Sequence, residues 1–151
     1  MLDRDRALAL LRRGGLDPEA GEVGPYQATS DPSGAEVLGR ELAALVADLA
    51  PTVVVVWRGV SDAVLGHIVA RELGTHVVLT FDDDGLVEHR GPLGASERAV
   101  VVADRIDDPA GLAAVITYLE QQGAVVAALG TLVAGPADRL GHVERRSVLE
   151  G

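Results

Sequence analysis

Three aspartates within five positions, Asp104, Asp107 and Asp108, follow directly on the apolar run Ala99-Val100-Val101-Val102-Ala103 and precede a helical pattern that opens near Gly111. A β-branched run ending in acidic residues and feeding a helix is how parallel α/β proteins build a ligand site at the carboxyl end of a strand. In that position Asp104 can hold a sugar diol or a magnesium-bound water, or serve as an ordinary hydrogen-bonding group of a loop. Asp107 and Asp108 can likewise contact a ligand or simply begin the helix. Asp108 falls at the N-cap and Pro109 at the first helical position, where a missing N–H costs nothing. A helix start binds phosphate through N–H groups that have no partner within the helix, and here the chain brings its own anion to them.

A second cluster, Arg58-Gly59-Val60-Ser61-Asp62, follows the apolar run that ends at Trp57. Arg58 is suited to grip an anion, with Gly59 letting the backbone approach and Ser61 adding a hydroxyl. The competing role for Ser61 or Asp62 is to cap the next helix. A third group holds Asp82-Asp83-Asp84, His89 and Arg90. Consecutive carboxylates rarely converge on one ion, so the aspartate run reads as a solvated turn. His89 and Arg90 are then the cations of that segment.

Other chemistries are excluded by composition. The chain has 151 residues, no cysteine and no lysine, all thirteen basic residues being arginine. Disulfides, thiolate nucleophiles, cysteine-ligated zinc and lysine chemistry are therefore absent. The four histidines lack metal-ligand spacing, and neither a Gly-x-Ser-x-Gly elbow nor a Gly-x-Gly-x-x-Gly loop occurs. A formal charge of −10 without a basic stripe argues against nucleic acid as a partner. No apolar stretch is long enough for a membrane span and no secretion signal is visible, so a soluble, cytoplasmic protein is expected.

The elements that must position these clusters follow from periodicity. Helical spacing predicts helices over residues 3–13, 35–50, 63–73 and 109–122, with Gly14, Pro51, Gly74 and Gly123 as stops. Buried strands are predicted over 52–57, 76–81, 98–103 and 124–133, a β-ribbon around 86–88, and a terminal strand within 139–149. Residues 17–34, rich in Pro, Gly, Ser and acids, read as irregular structure with a short strand near 26–29. Strands alternating with helices imply an α/β fold, its mostly parallel central sheet flanked by helices and preceded by an N-terminal helical and loop extension. One domain is expected over residues 1–151, with the extension over 1–34 and the α/β core over 35–151.

The strand, Asp104 and the loop that follows it resemble the signature of the type I phosphoribosyltransferases, which join a base to phosphoribosyl pyrophosphate. The N-terminal Leu10-Leu11, Gly15-Leu16 and Gly24-Pro25-Tyr26-Gln27-Ala28-Thr29-Ser30 look like the beginning of the orotate enzymes. The resemblance places Arg58 to Asp62 at the pyrophosphate loop and residues 78–93 at a mobile catalytic loop, makes His89 and Arg90 with Asp104 the candidates for catalytic work, and implies a homodimer and, for an active enzyme, Mg2+. It also identifies departures. Ala103 stands for one of two ribose-binding acids, Asp107, Asp108 and Pro109 stand where Thr and Gly cradle the 5′-phosphate, and no lysine serves the catalytic loop. A homodimer brings no lysine either. The expectation is therefore an orotate phosphoribosyltransferase-like protein that is impaired or inactive and binds a small anionic or nucleoside-type ligand or a protein partner. The alternatives are a working Mg2+-dependent transferase using Arg58, Arg90, Asp104 and Arg105, and a purely structural dimer or complex subunit.

Overall fold

A computed structural model of the protein describes residues 1–20, 24–57, 59–135 and 138–150. Among them, seven strands form one sheet in the order β3-β2-β1-β4-β5-β7-β6. The strands are β1 (Val53–Trp57), β2 (His76–Asp83), β3 (Leu86–Arg90), β4 (Arg98–Ala103), β5 (Val125–Val133), β6 (Arg139–Leu140) and β7 (Val143–Leu149). The helices are α1 (Arg4–Arg13), α2 (Pro32–Val46), α3 (Val60–Leu73) and α4 (Pro109–Gln121). β1 lies parallel to both β2 and β4, β4 to β5, and β5 to β7, while β3 and β6 run antiparallel to their neighbours.

Every residue of β1 is buried because helices cover both faces of the sheet, which is why the sequence shows an unbroken apolar run there. Val54 and Val56 face the layer built by α1, α2 and α3, whereas Val53, Val55 and Trp57 face α4. The N-terminal extension shares the first of these cores: Leu8, Leu10, Leu11 and Tyr26 pack in one cluster with Val100 and Val102 of β4. α1 is capped by Asp3, whose carboxylate accepts the Arg6 N–H at 2.8 Å. No described helix is long and apolar enough to cross a membrane.

The structure corrects several boundaries. α2 begins at Pro32, three residues before the predicted start, because Pro32 takes the first helical position, as Pro109 does in α4, though Asp31, unlike Asp108, makes no cap bond. It ends at Val46, and residues through Leu49 continue as a 3-10 turn. The short strand expected near 26–29 is instead a 3-10 turn over Ala28–Ser30. α3 starts at Val60 with Gly59 as N-cap, so neither Ser61 nor Asp62 caps it; both lie in its first turn. The single terminal strand is two strands, β6 and β7, joined by a turn at Gly141 and His142. The segment compared with a mobile loop forms the regular β2–β3 hairpin.

Leu11 is wholly buried in the core shared by the extension and the sheet. Leu11→Ala is expected to cost about 2–5 kcal/mol by cavity formation. In urea the variant should keep a single transition with an unchanged slope; a separate early transition for the N-terminal segment would contradict a shared core.

Candidate functional site

β1 connects through α3 to β2 on one side of the sheet, and β4 connects through α4 to β5 on the other. The crevice outside the carboxyl ends of β1 and β4 is thus the switch point where open α/β sheets bind ligands. A cavity of about 510 Å³ lies there, within the usual range for a small-molecule site. Its walls are the strap of residues 25–29, the turn from β1 into α3, and the turn from β4 into α4, together with Trp57.

The strap, irregular up to Gln27 and a 3-10 turn from Ala28, alternates its side chains. Tyr26 and Ala28 are buried in the core, while Pro25, Gln27 and Thr29 are exposed and line the cavity. The Tyr26 ring fills the space beside Gly14 that a Cβ there would occupy. Burial, and then the charge of Asp31, push its phenol up to about 12. The backbone of the strap is fixed by the two turns: the Tyr26 N–H donates to Asp104 Oδ2 at 2.9 Å and the Ala28 N–H to Ser61 Oγ at 3.0 Å.

Asp104 is only 9% exposed. Besides Tyr26, it accepts from the Arg105 N–H at 2.8 Å through Oδ1 and from the Arg105 guanidinium at 3.0 Å through Oδ2. The same guanidinium lies 3.6 Å from Asp107 Oδ2. The Asp104 N–H donates in turn to Asp62 Oδ1 at 3.0 Å. Asp62 sits in the first turn of α3 and lines the cavity. Burial, reinforced by the charge of Asp104, pushes its carboxyl up to about 8. Sequence reasoning weighed Asp62 only as a cap; its pairing with Asp104 depends on the β1–β4 neighbourhood, which no local pattern encodes.

At the start of α4, Asp108 is the N-cap, and its Oδ1 accepts the Gly111 N–H at 3.0 Å. A Cβ at Gly111 would collide with both the Trp57 indole and the Asp108 carboxylate. The space beside the first turn of α4 is therefore taken by an indole and a carboxylate, and one of the N–H groups that could bind an anion is already used. Trp57 was read as the end of a strand. The signal for its second role is the period of two that turns positions 53, 55 and 57 toward α4.

The remaining candidates lie elsewhere. His89 and Arg90, on β3, do not line the cavity: His89 Nδ1 is 2.5 Å from the Tyr118 hydroxyl and Arg90 stacks over Phe81. Asp82 accepts the Gly85 N–H in the hairpin turn at 2.8 Å. Gly59, with a φ of +98°, allows the chain to turn from β1 into α3. Arg58 lies outside the described residues.

Among the described residues, no group of three or more His, Cys, Asp or Glu side chains is arranged to hold a metal ion. Asp104, the candidate for holding a magnesium-bound water, has one oxygen on the Arg105 backbone and the other on a guanidinium and the Tyr26 N–H. A hard cation that demands six oxygen ligands does not fit beside that guanidinium.

This order of elements, with a cleft at the β1–β4 switch point, is the type I phosphoribosyltransferase fold. The adenine phosphoribosyltransferase of Rhodothermus marinus superposes with a TM-score of 0.75 at 19% identity, over 97% of this chain and 99% of that one. The orotate phosphoribosyltransferase of Aeropyrum pernix gives 0.72 at 21% identity, over 95% and 92%. That of Mycobacterium tuberculosis, solved with inorganic phosphate, gives 0.68 at 22% identity, over 95% and 92%. No protein-family model matches the chain, and no curated protein matches it by sequence.

Gly111→Ala is expected to cost about 1–3 kcal/mol, because the added methyl group must displace packed groups on both sides. As Trp57 is the only tryptophan, its emission should shift in the native state of the variant. An unchanged spectrum with unchanged stability would place the indole away from α4.

Proposed function

We infer that this chain is a phosphoribosyltransferase-fold binding protein without transferase activity, whose cleft takes an uncharged, nucleoside-type ligand that carries no phosphate. The observation that carries the reading is the bond from the Gly111 N–H to the Asp108 carboxylate at 3.0 Å. A phosphate at the start of α4 would have to displace this cap, worth about 1 kcal/mol, and would then lie beside a carboxylate. It would also find the Arg105 guanidinium already engaged by Asp104 and Asp107. The charge balance of transfer is unfavourable for the same reason. A departing pyrophosphate needs several cations gathered on it, whereas among the described residues the cleft has only Arg105, facing Asp104 and Asp107, and His89 and Arg90 lie away from it. Of the two ligand classes expected from the sequence, an anion meets this carboxylate lining. A neutral ring with hydroxyl or amide groups meets Gln27, Thr29 and Ser61 in a cavity of suitable volume.

Calorimetric titration with phosphoribosyl pyrophosphate and Mg2+ at low salt, where electrostatic binding is strongest, tests the reading. No heat is expected, whereas a panel of unphosphorylated nucleosides should include one that raises the melting temperature. Micromolar binding of phosphoribosyl pyrophosphate, with turnover on adenine or orotate, would establish the transferase instead.

A further inference from the structure

A second cavity, of about 350 Å³, adjoins the cleft at Thr29, which lines both. The 3-10 turn that carries Thr29 is thus the sill between them. Across from it runs α3, whose Val60 lines the cleft and whose Val64 and Ile68 line the second cavity. These three residues are spaced four apart, which puts them on one face of the helix in a stripe about 12 Å long. Val60 is 71% exposed at the cleft end, Val64 is half-buried, and Ile68 is the buried floor. We propose that the two cavities are one ligand groove: the nucleoside-type ligand of the cleft carries an apolar arm that crosses Thr29 and lies along Val60, Val64 and Ile68. For the ring this rests on the reading of the cleft given above; the arm depends on the groove alone.

The groove closes where α2 meets α3. A Cβ at Gly39 would stand 2.6 Å from Ile68 Cγ2, so the two helices touch there. Nearer their starts, Ser33 of α2 and Val64 of α3 line the cavity between them. The one carboxylate among the described lining residues of this cavity is already neutralised, since the Glu36 oxygens accept from the Arg71 guanidinium at 3.1 and 2.5 Å. An arm therefore meets apolar contact and no unpaired acid, in contrast to the carboxylates of the cleft. Without a ligand, the Val60 side chain stands in water. An arm laid on the stripe removes that surface, and each methylene so buried tightens binding about fourfold. Continuity with the cleft selects a ligand arm as the occupant, because the stripe begins at a residue that already lines the ligand site.

The test follows the methyl resonances of Val60, Val64 and Ile68 while three kinds of probe are added: 1-octanol alone, unphosphorylated nucleosides, and the same nucleosides bearing butyl, hexyl or octyl chains. Octanol should shift the Val64 and Ile68 methyls with saturation, and Val64→Ser should weaken it about fourfold or more. A nucleoside that binds the cleft should gain about fourfold per added methylene until the chain passes Ile68, and should then move all three residues together. Octanol shifts that are absent or fall away from Val64 and Ile68 overturn the proposal, as does a bound nucleoside whose affinity ignores chain length. Octanol on the stripe with no nucleoside bound in any form supports the groove and overturns the nucleoside reading of the cleft. A dimer in light scattering that Val64→Asp splits gives the stripe to a second copy of the chain and overturns the proposal.

Discussion

The N–H groups at the start of a helix can be satisfied only once, and the character of this protein depends on what satisfies them in α4. Four such groups lack partners within any helix, and the dipole makes that end attractive to anions. In α4 a carboxylate from the preceding residue takes the Gly111 N–H, and an indole from β1 fills the adjacent space. The first turn of α4 is thus occupied by the chain's own groups. Function on such a fold belongs to the site and not to the scaffold, so the neighbouring enzymes share the sheet order without fixing the chemistry.

The groups around the start of α4 pair with one another. Asp104 binds the strap backbone and Arg105, and Arg105 balances Asp104 and Asp107. Asp62 stands in the same cavity wall, where burial and the charge of Asp104 raise its carboxyl. A buried acid of this kind costs stability at neutral pH, because the unfolded chain ionises it freely. Its position in the wall of the cavity, and not in the core, makes that cost a property of the site.

Much of this arrangement was legible in the sequence. Apolar runs marked β1, β4 and β5, bounded by Gly and Pro or, for β4, by charged residues, and Asp108-Pro109 marked the start of α4 to the residue. The same Asp-Pro pair at Asp31-Pro32 was passed over because it sits in a stretch dense with turn residues. There the Asp31 carboxylate goes to Arg13 at 2.9 Å instead of capping. The role of the strap was not legible, since its alternation spans only five residues and its bonds reach Ser61 and Asp104 across 33 and 78 positions. The family resemblance assigns His89 and Arg90 to a catalytic loop, but the antiparallel turn of β3 carries them to the edge of the sheet.

The central claim is that the first turn of α4 is closed to phosphate by Asp108. It is tested most directly by following the Gly111 amide resonance while inorganic phosphate is added through millimolar concentrations. With the cap in place the Gly111 and Leu112 amides should not move in the wild-type protein, and they should shift with saturation once Asp108→Thr and Pro109→Gly are introduced together. Saturable shifts of those amides in the wild type would show that phosphate displaces the carboxylate, and would contradict the account.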